Sequence, residues 1–106
     1  MQTRNYGTDR SGRSFSDAVK LAVWQKAQAV VGLNPAITRR DACGANINWA
    51  DHGVTTVHGN GWEIDHIMPV ARNGSDDLSN LQALQWQNNR QKSDSVGTNY
   101  CLVSAK

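Results

Sequence analysis

The sequence lacks the features that mark membrane-bound, secreted or strongly basic proteins. It contains no apolar run of membrane-spanning length, and its polar first residues lack the apolar core of a signal peptide. The formal net charge is only +2, so global charge does not indicate nucleic-acid binding as a pI above about 9 would. We therefore expect a soluble cytoplasmic protein with no membrane partner, in which any affinity for phosphates comes from local clusters of arginine and lysine.

Cysteine is also scarce. The chain has two cysteines, Cys43 and Cys101, which are far apart in sequence and in no metal-ligand spacing. In a cytosolic protein such residues are expected to be reduced thiols in the core, with a disulfide or a zinc site as the alternatives. With 106 residues, 39% of them hydrophobic, the chain is long enough for one small domain with a modest core.

The amino-terminal residues divide into a polar segment and a helix. Residues 1–14 are rich in glycine, serine and arginine, which predicts a disordered basic arm, or alternatively an arm that contacts phosphates. Ser14 followed by Asp17 resembles a capping box, and apolar residues then recur at helical spacing. We predict a helix from Phe15 to about Trp24, and a single domain over residues 15–106.

The middle and the end of the chain predict short strands. Residues 42–49 favour a hairpin or an irregular strand, and the β-branched residues 55–57 favour another strand. Arg39 and Arg40 precede them and either contact phosphates or form a solvated surface. Residues 100–103 could add an edge strand or pack on the first helix.

The segment 61–94 concentrates the residues capable of chemistry. Apolar residues and His66 alternate with polar ones from Trp62 onward, which predicts a strand that Pro69 ends. Turn-forming residues then separate this strand from a second, half-apolar run and a polar stretch without helix breakers. The predicted order is strand, loop, strand and helix, at 62–67, 72–77, 81–86 and 87–92.

A metal site and a base can be predicted within this segment. Asn89 and Lys92 are three residues apart, so they share one helix face. If that helix packs across the strands, Asn89 approaches Asp65, and the two side chains offer hard oxygens to magnesium or manganese. His66 is then free to take a proton from water that attacks phosphorus. Because neighbours on a strand point to opposite faces, Asp65 and His66 can serve one phosphate only if the strand bends near its end.

The same residues resemble a known motif. Asp65-His66, Asn80 within LSNLQ, and Asn89-Arg-Gln-Lys-Ser-Asp are similar to the HNH endonuclease motif, in the variant whose last histidine is asparagine. The HNH domain of the CRISPR effector nucleases and phage junction-resolving nucleases have a similar order. The stretches VWQKAQ, RRDACGANI and DHG also resemble small bacterial and phage HNH proteins. The resemblance implies an α+β fold with a ββα-metal (His-Me finger) core, an N-terminal helix and short extra strands.

The resemblance also implies roles for individual residues. Asp65 and Asn89 would hold one magnesium or manganese ion per active site, and His66 would be the general base. Asn80, counted with the catalytic group, would hydrogen-bond backbone across the loop and so orient His66. Cleavage of DNA would leave 3′-hydroxyl and 5′-phosphate ends. Contacts to phosphate are expected from Arg39, Arg40, Arg72, Arg90 and Lys92.

Two further expectations follow from the resemblance. Gln85 and Asn88 stand where many relatives carry zinc-binding cysteines, so a structural zinc is not expected. Either a monomer or a homodimer is compatible with the motif, and the two would favour nicking and double-strand cutting respectively. The alternatives to an active nuclease are a catalytically silent nucleic-acid-binding module and a structural component of a phage or mobile-element DNA-processing complex.

Overall fold

Two helices and two antiparallel strand pairs follow one another in the computed structural model, which describes residues 4–97 and 99–104. The elements are α1 (Asp17–Lys26), β1 (Thr38–Arg40), β2 (Asn46–Asn48), β3 (Trp62–His66), β4 (Leu81–Gln85) and α2 (Trp86–Lys92). Single 3-10 turns lie at Trp49–Asp51, Val70–Arg72 and Leu78–Asn80. The predicted α+β class and the strand, loop, strand and helix of the motif are confirmed.

The first helix begins later than predicted. Ser16, in an extended conformation, is the N-cap, and its Oγ accepts a hydrogen bond of 3.2 Å from the Val19 amide. The prediction that Ser14 caps the helix was wrong, because Ser14 forms a β-bridge with Thr8 instead. Asp17 in the first turn and Lys26 in the last turn suit the helix dipole.

The strands β1 and β2 form a hairpin, but only β2 lies within residues 42–49, where the hairpin or irregular strand was predicted, and β1 ends before that range. The register runs from Thr38 opposite Asn48 to Arg40 opposite Asn46. The prediction of a strand at residues 55–57 was wrong, because these residues lie in irregular and turn backbone without strand pairing. β-Branched residues favour a strand only where another strand supplies hydrogen bonds, and none does so here.

The strands β3 and β4 pair antiparallel from Trp62 opposite Gln85 to His66 opposite Leu81. Side chains on one face of this pair enter the hydrophobic core and pack against α1 and β2. The centroid of the Trp62 ring lies 5.3 Å from that of Trp24. The core consists of Val23, Trp24, Ile47, Trp62, Ile64, Leu81 and Ala83.

The opposite face of β3–β4 is covered by α2 and is mostly polar. Glu63 and Asp65 lie on this face, because they alternate with the core residues of β3. Gln85 caps α2 by accepting a hydrogen bond of 3.0 Å at its Oε1 from the Asn88 amide. The helix thereby begins directly after β4 and points Asn89 and Lys92, both buried, toward β3.

Cys43 and Cys101 form a disulfide, with their Cα atoms 5.5 Å apart, so the prediction of reduced thiols was wrong. The chain after α2 folds back along that helix rather than onto α1. Asn88 Oδ1 accepts hydrogen bonds from the amides of Leu102 at 2.7 Å and Val103 at 2.8 Å. These contacts bring Cys101 to the β1–β2 turn, which its distance in sequence does not reveal.

Residues 4–14 follow a defined path beside β3. Gly7 lies against the Glu63 side chain, and the Arg10 amide donates to the Asp76 carboxylate at 3.2 and 3.3 Å. The disorder of this arm in solution stays a prediction. Within the described residues, no helix is long and apolar enough to cross a membrane.

Candidate active site

A cleft of about 430 Å³ lies at the end of β3. Asp65 and His66 from β3 and Asn89 from α2 line the cleft. Residues 4–7 and 10–12, which include Arg4 and Arg10, also line it. The three side chains predicted to act together therefore border a single space, although Asp65 and His66 belong to opposite faces of a regular strand.

His66 is the last residue of β3, and its ring is held from two sides. Its side chain is only 3% exposed, and its Nε2 lies 2.7 Å from Oδ1 of Asp76. The Phe15 ring packs against it with centroids 5.9 Å apart. The partner Asp76 was not anticipated, because it comes from a turn whose sequence predicts only a change of chain direction.

Asp65 is a buried carboxylate with two polar neighbours. Its Oδ2 accepts a hydrogen bond of 2.9 Å from Gln82 on β4, and Lys92 Nζ lies 3.3 Å from the same oxygen. Burial raises the pKa of Asp65 above its ordinary value, while the Gln82 hydrogen bond and the Lys92 charge lower it in part. Asp65 Oδ1 receives only a long contact of 3.4 Å from Lys92.

Asn89 is held by its nitrogen. Its Nδ2 donates to Glu63 Oε1 at 2.9 Å, and Glu63 also pairs with Arg90 at 2.9 Å. Among the described residues, the Asn89 Oδ1 accepts no hydrogen bond, so the oxygen keeps its lone pairs on a residue that borders the cleft. The role of Glu63 was missed, although its period-two spacing from Asp65 places both on the face toward α2.

Asn80 closes the loop that follows β3. Its Nδ2 donates to the carbonyl oxygens of Met68 at 3.1 Å and Ser75 at 2.8 Å, and its Oδ1 accepts from the Met68 amide at 2.8 Å. These are side-chain bonds to backbone across the loop. They fix the path of the chain from His66 to Asp76.

The cations expected to contact phosphate are dispersed. Lys92 is 2% exposed and donates to the His66 carbonyl at 2.9 Å. It therefore stabilises the end of β3 from the protein interior. Arg90 is 40% exposed and can reach solvent beside the cleft. Arg72 donates to the Asp94 carbonyl at 3.0 Å, which links the loop to the end of α2.

The two arginines of β1 lie outside this cleft. Arg39 donates to the Pro35 and Ala27 carbonyls at 3.0 and 2.9 Å and so supports the end of α1. Arg40 borders a separate cleft beside Cys43. The structure therefore does not bring Arg39 and Arg40 together with Asp65, His66 and Asn89.

A comparison with protein families identifies the chain. The family model described as HNH endonuclease matches residues 42–95, slightly more than half of the sequence. The chain belongs to the HNH endonuclease family. Neither a curated protein nor a solved structure matches it significantly. The matched region contains β2, β3, β4 and α2, and it includes Asp65, His66 and Asn89 at the cleft.

HNH nucleases typically depend on a divalent metal, and the donors of this chain fit such an ion. Asp65 Oδ1 and Asn89 Oδ1 are hard oxygens with free lone pairs on residues that border one cleft. Within residues 4–97 and 99–104 there is no group of three or more His, Cys, Asp or Glu side chains suited to a metal. Two protein oxygens suit magnesium, which keeps several of its waters.

Gln85 and Asn88 belong to a buried hydrogen-bond network. The Gln85 amide and Asn88 Nδ2 donate to Asp41 Oδ2 at 2.8 and 3.1 Å. Asp41 Oδ1 accepts from the amides of Cys43 and Ala45 at 2.9 and 2.8 Å. Asp41 therefore joins the β1–β2 turn to Gln85 and α2.

Proposed function

We propose that this chain is a metal-dependent HNH endonuclease that hydrolyses phosphodiester bonds of DNA. The observation that carries the proposal is the meeting of His66, Asp65 and Asn89 at one cleft within a matched HNH region. One magnesium or manganese ion held by Asp65 and Asn89 would supply a Lewis acid for the phosphate oxygens.

His66 is the base of the proposed reaction. A neutral imidazole takes a proton from a water molecule, whose oxygen then forms a bond to phosphorus. The bond from phosphorus to the 3′ oxygen breaks, and that oxygen leaves and acquires a proton. The family implies 3′-hydroxyl and 5′-phosphate ends as the products. The bond that breaks is therefore the one between phosphorus and the 3′ oxygen, and the phosphate stays on the 5′ oxygen of the next nucleotide.

The remaining residues prepare the site. Asn80 holds the loop after His66, and Lys92 fixes the strand end through the His66 carbonyl. Arg90, Arg4 and Arg10 lie at or near the cleft and can offset the negative charge of the phosphate. Arg39, Arg40 and Arg72 could contact only more distant phosphates of the substrate.

Plasmid cleavage tests the proposal. Wild-type protein should convert supercoiled DNA with magnesium or manganese and not with a chelator, and His66→Ala should reduce the rate by about 10²–10⁴-fold. Exposed His58 borders neither cleft, so His58→Ala is a matched control that should retain the wild-type rate. Accumulation of nicked circles before linear DNA would show single-strand cutting, as expected of a monomer.

Other outcomes assign other functions. Equal cleavage by wild type and His66→Ala would remove His66 from the base role. Salt-dependent DNA binding without cleavage would support the silent binding module. The absence of both DNA binding and cleavage would support a structural component. Metal binding is tested separately by calorimetry with manganese. Asp65→Ala and Asn89→Ala should each weaken manganese binding.

The cellular compartment remains a prediction. A cytoplasmic location was expected from the sequence, whereas a disulfide such as Cys43–Cys101 is typical of oxidising compartments. Thiol labelling of the protein in cell extracts, with and without prior reduction, would decide between them. Labelling before reduction would support the cytoplasm.

A further inference from the structure

We propose that Asp76 is a positioning residue for His66, whose carboxylate fixes the imidazole tautomer that serves as the base. The inference rests on the proposed nuclease function. It starts from the 2.7 Å contact between His66 Nε2 and Asp76 Oδ1. An ionised carboxylate only accepts hydrogen bonds, so Nε2 must carry the proton and Nδ1 must carry the lone pair.

The other ring nitrogen is free for chemistry. Among the described residues, His66 Nδ1 makes no hydrogen bond. A neutral imidazole has one donor and one acceptor nitrogen, and the partner of the first determines which nitrogen can take a proton. Asp76 therefore selects Nδ1 as the basic atom of a ring that Phe15 also restrains.

The loop that carries Asp76 is tightly folded, so the carboxylate has a defined position. A Cβ atom at Gly74 would collide with the Met68 carbonyl oxygen, so only glycine fits there. The Gly74 amide donates to the Pro69 carbonyl at 2.9 Å, and Asn80 donates to the Ser75 carbonyl at 2.8 Å. The loop is thus fixed to the residues that directly follow His66.

A second contact holds the carboxylate itself. The Arg10 amide donates to both oxygens of Asp76, at 3.2 and 3.3 Å. This contact restrains rotation of the carboxylate, although Asp76 is 40% exposed. It also raises the competing possibility that Asp76 serves only to hold the amino-terminal segment in place.

The neighbouring residue provides a matched control. Asp77 is exposed, carries the same charge in the same loop, and among the described residues its carboxylate accepts no hydrogen bond. Asp77→Asn changes net charge as Asp76→Asn does, without touching His66. Asp76→Glu keeps the carboxylate and should retain more activity than Asp76→Asn.

Cleavage kinetics give the first test. Asp76→Asn should lower kcat on the order of 10–100-fold, by analogy with the range found for carboxylates that orient a metal-bound histidine. KM for DNA and the thermal midpoint should change little, and Asp77→Asn should match wild type. In the His66→Ala background Asp76→Asn should not lower kcat further, because Asp76 acts only through the His66 ring. An equal loss in both backgrounds would overturn the proposal.

The tautomer of His66 gives a test that does not depend on activity. In ¹⁵N-labelled wild type, at a pH where the ring is neutral, NMR should show the proton on Nε2. Asp76→Asn should shift the ring toward the Nδ1-protonated form, while deletion of residues 1–13 should not. The role of Asp76 would be refuted if the wild-type His66 ring were protonated on Nδ1. It would also be refuted if the ring had the same tautomer in Asp76→Asn as in wild type. Failure of wild type to cut DNA would refute the nuclease proposal alone.

Discussion

The two faces of the β3–β4 pair differ in what they bury. The face toward α1 buries Trp62, Ile64, Leu81 and Ala83 in a continuous apolar core. The face toward α2 buries Glu63, Asp65, Asn89 and Lys92, connected by hydrogen bonds and ion pairs. One two-stranded sheet therefore separates a hydrophobic core from a buried polar network.

The difference separates stability from chemistry. Burial of a large apolar side chain stabilises the fold by about 1.5–3 kcal/mol, whereas a buried ion pair gains little over apolar residues of similar size. Stability alone therefore explains the polar face poorly, and this face holds Asp65 and Asn89, two of the three residues of the proposed site. His66 is the exception, since it lies on the apolar face at the end of the strand.

The largest expected effect comes from breaking the polar network at Lys92. Lys92→Met leaves the Asp65 carboxylate buried and removes the donor to the His66 carbonyl. We expect a loss of about 3–5 kcal/mol in the free energy of unfolding, measured by urea denaturation. Arg13→Met, which removes an exposed cation, should change stability by less than about 0.5 kcal/mol.

A compensating substitution sharpens this result. The double variant Asp65→Leu with Lys92→Met should regain most of the lost stability, because apolar residues replace the whole pair. It should nevertheless remain inactive, because Asp65 is a proposed metal ligand. A double variant as unstable as Lys92→Met would show that the polar face is needed for folding as well.

The next effect concerns the disulfide that supports the polar face from outside. Reduction of Cys43–Cys101 should lower stability by about 2–4 kcal/mol, since the bond restrains a long loop in the unfolded chain. Urea denaturation with and without reductant measures the difference. The Cys43→Ala and Cys101→Ala double variant should be insensitive to reductant, and an equal midpoint for oxidised and reduced wild type would contradict the prediction.

Much of the comparison between the two faces was accessible from the sequence. Alternation in WEIDH predicted which residues share a face, and the three-residue spacing of Asn89 and Lys92 predicted that both face the sheet. These features are local, because a strand or helix period depends only on neighbouring residues. The ββα order was predicted for the same reason.

Contacts between distant segments were not accessible. Asp76 meets His66 only because the loop folds back, and Cys101 meets Cys43 only because Asn88 binds the C-terminal backbone. No periodicity records such contacts. The misplaced helix cap has a related cause, since Ser14 and Ser16 are both good caps and the bridge to Thr8 decides between them.

A smaller effect is expected on the apolar face. Ile47 is fully buried in the core against β3 and β4, and Ile47→Val removes one methylene group. Stability should fall by about 0.5–1.5 kcal/mol, while the cleavage rate of fully folded protein should stay at the wild-type value. A slower rate at a temperature where both proteins are folded would show that the two faces are coupled.

The smallest effect is the pH response of His52, whose ring lies 4.7 Å from that of Trp62. Burial, and secondarily the charge of Lys20, lowers the pKa of His52 below its ordinary value of 6.5. The unfolded chain therefore binds a proton before the folded protein does, so stability should fall as pH decreases from about 6.5 toward the folded pKa. His52→Gln should weaken this decline, measured as the change in thermal midpoint between neutral and mildly acidic buffer. An identical decline in both proteins would mean that the rings around Trp62 tolerate a protonated imidazole, and that the apolar face is less strictly apolar than its contacts indicate.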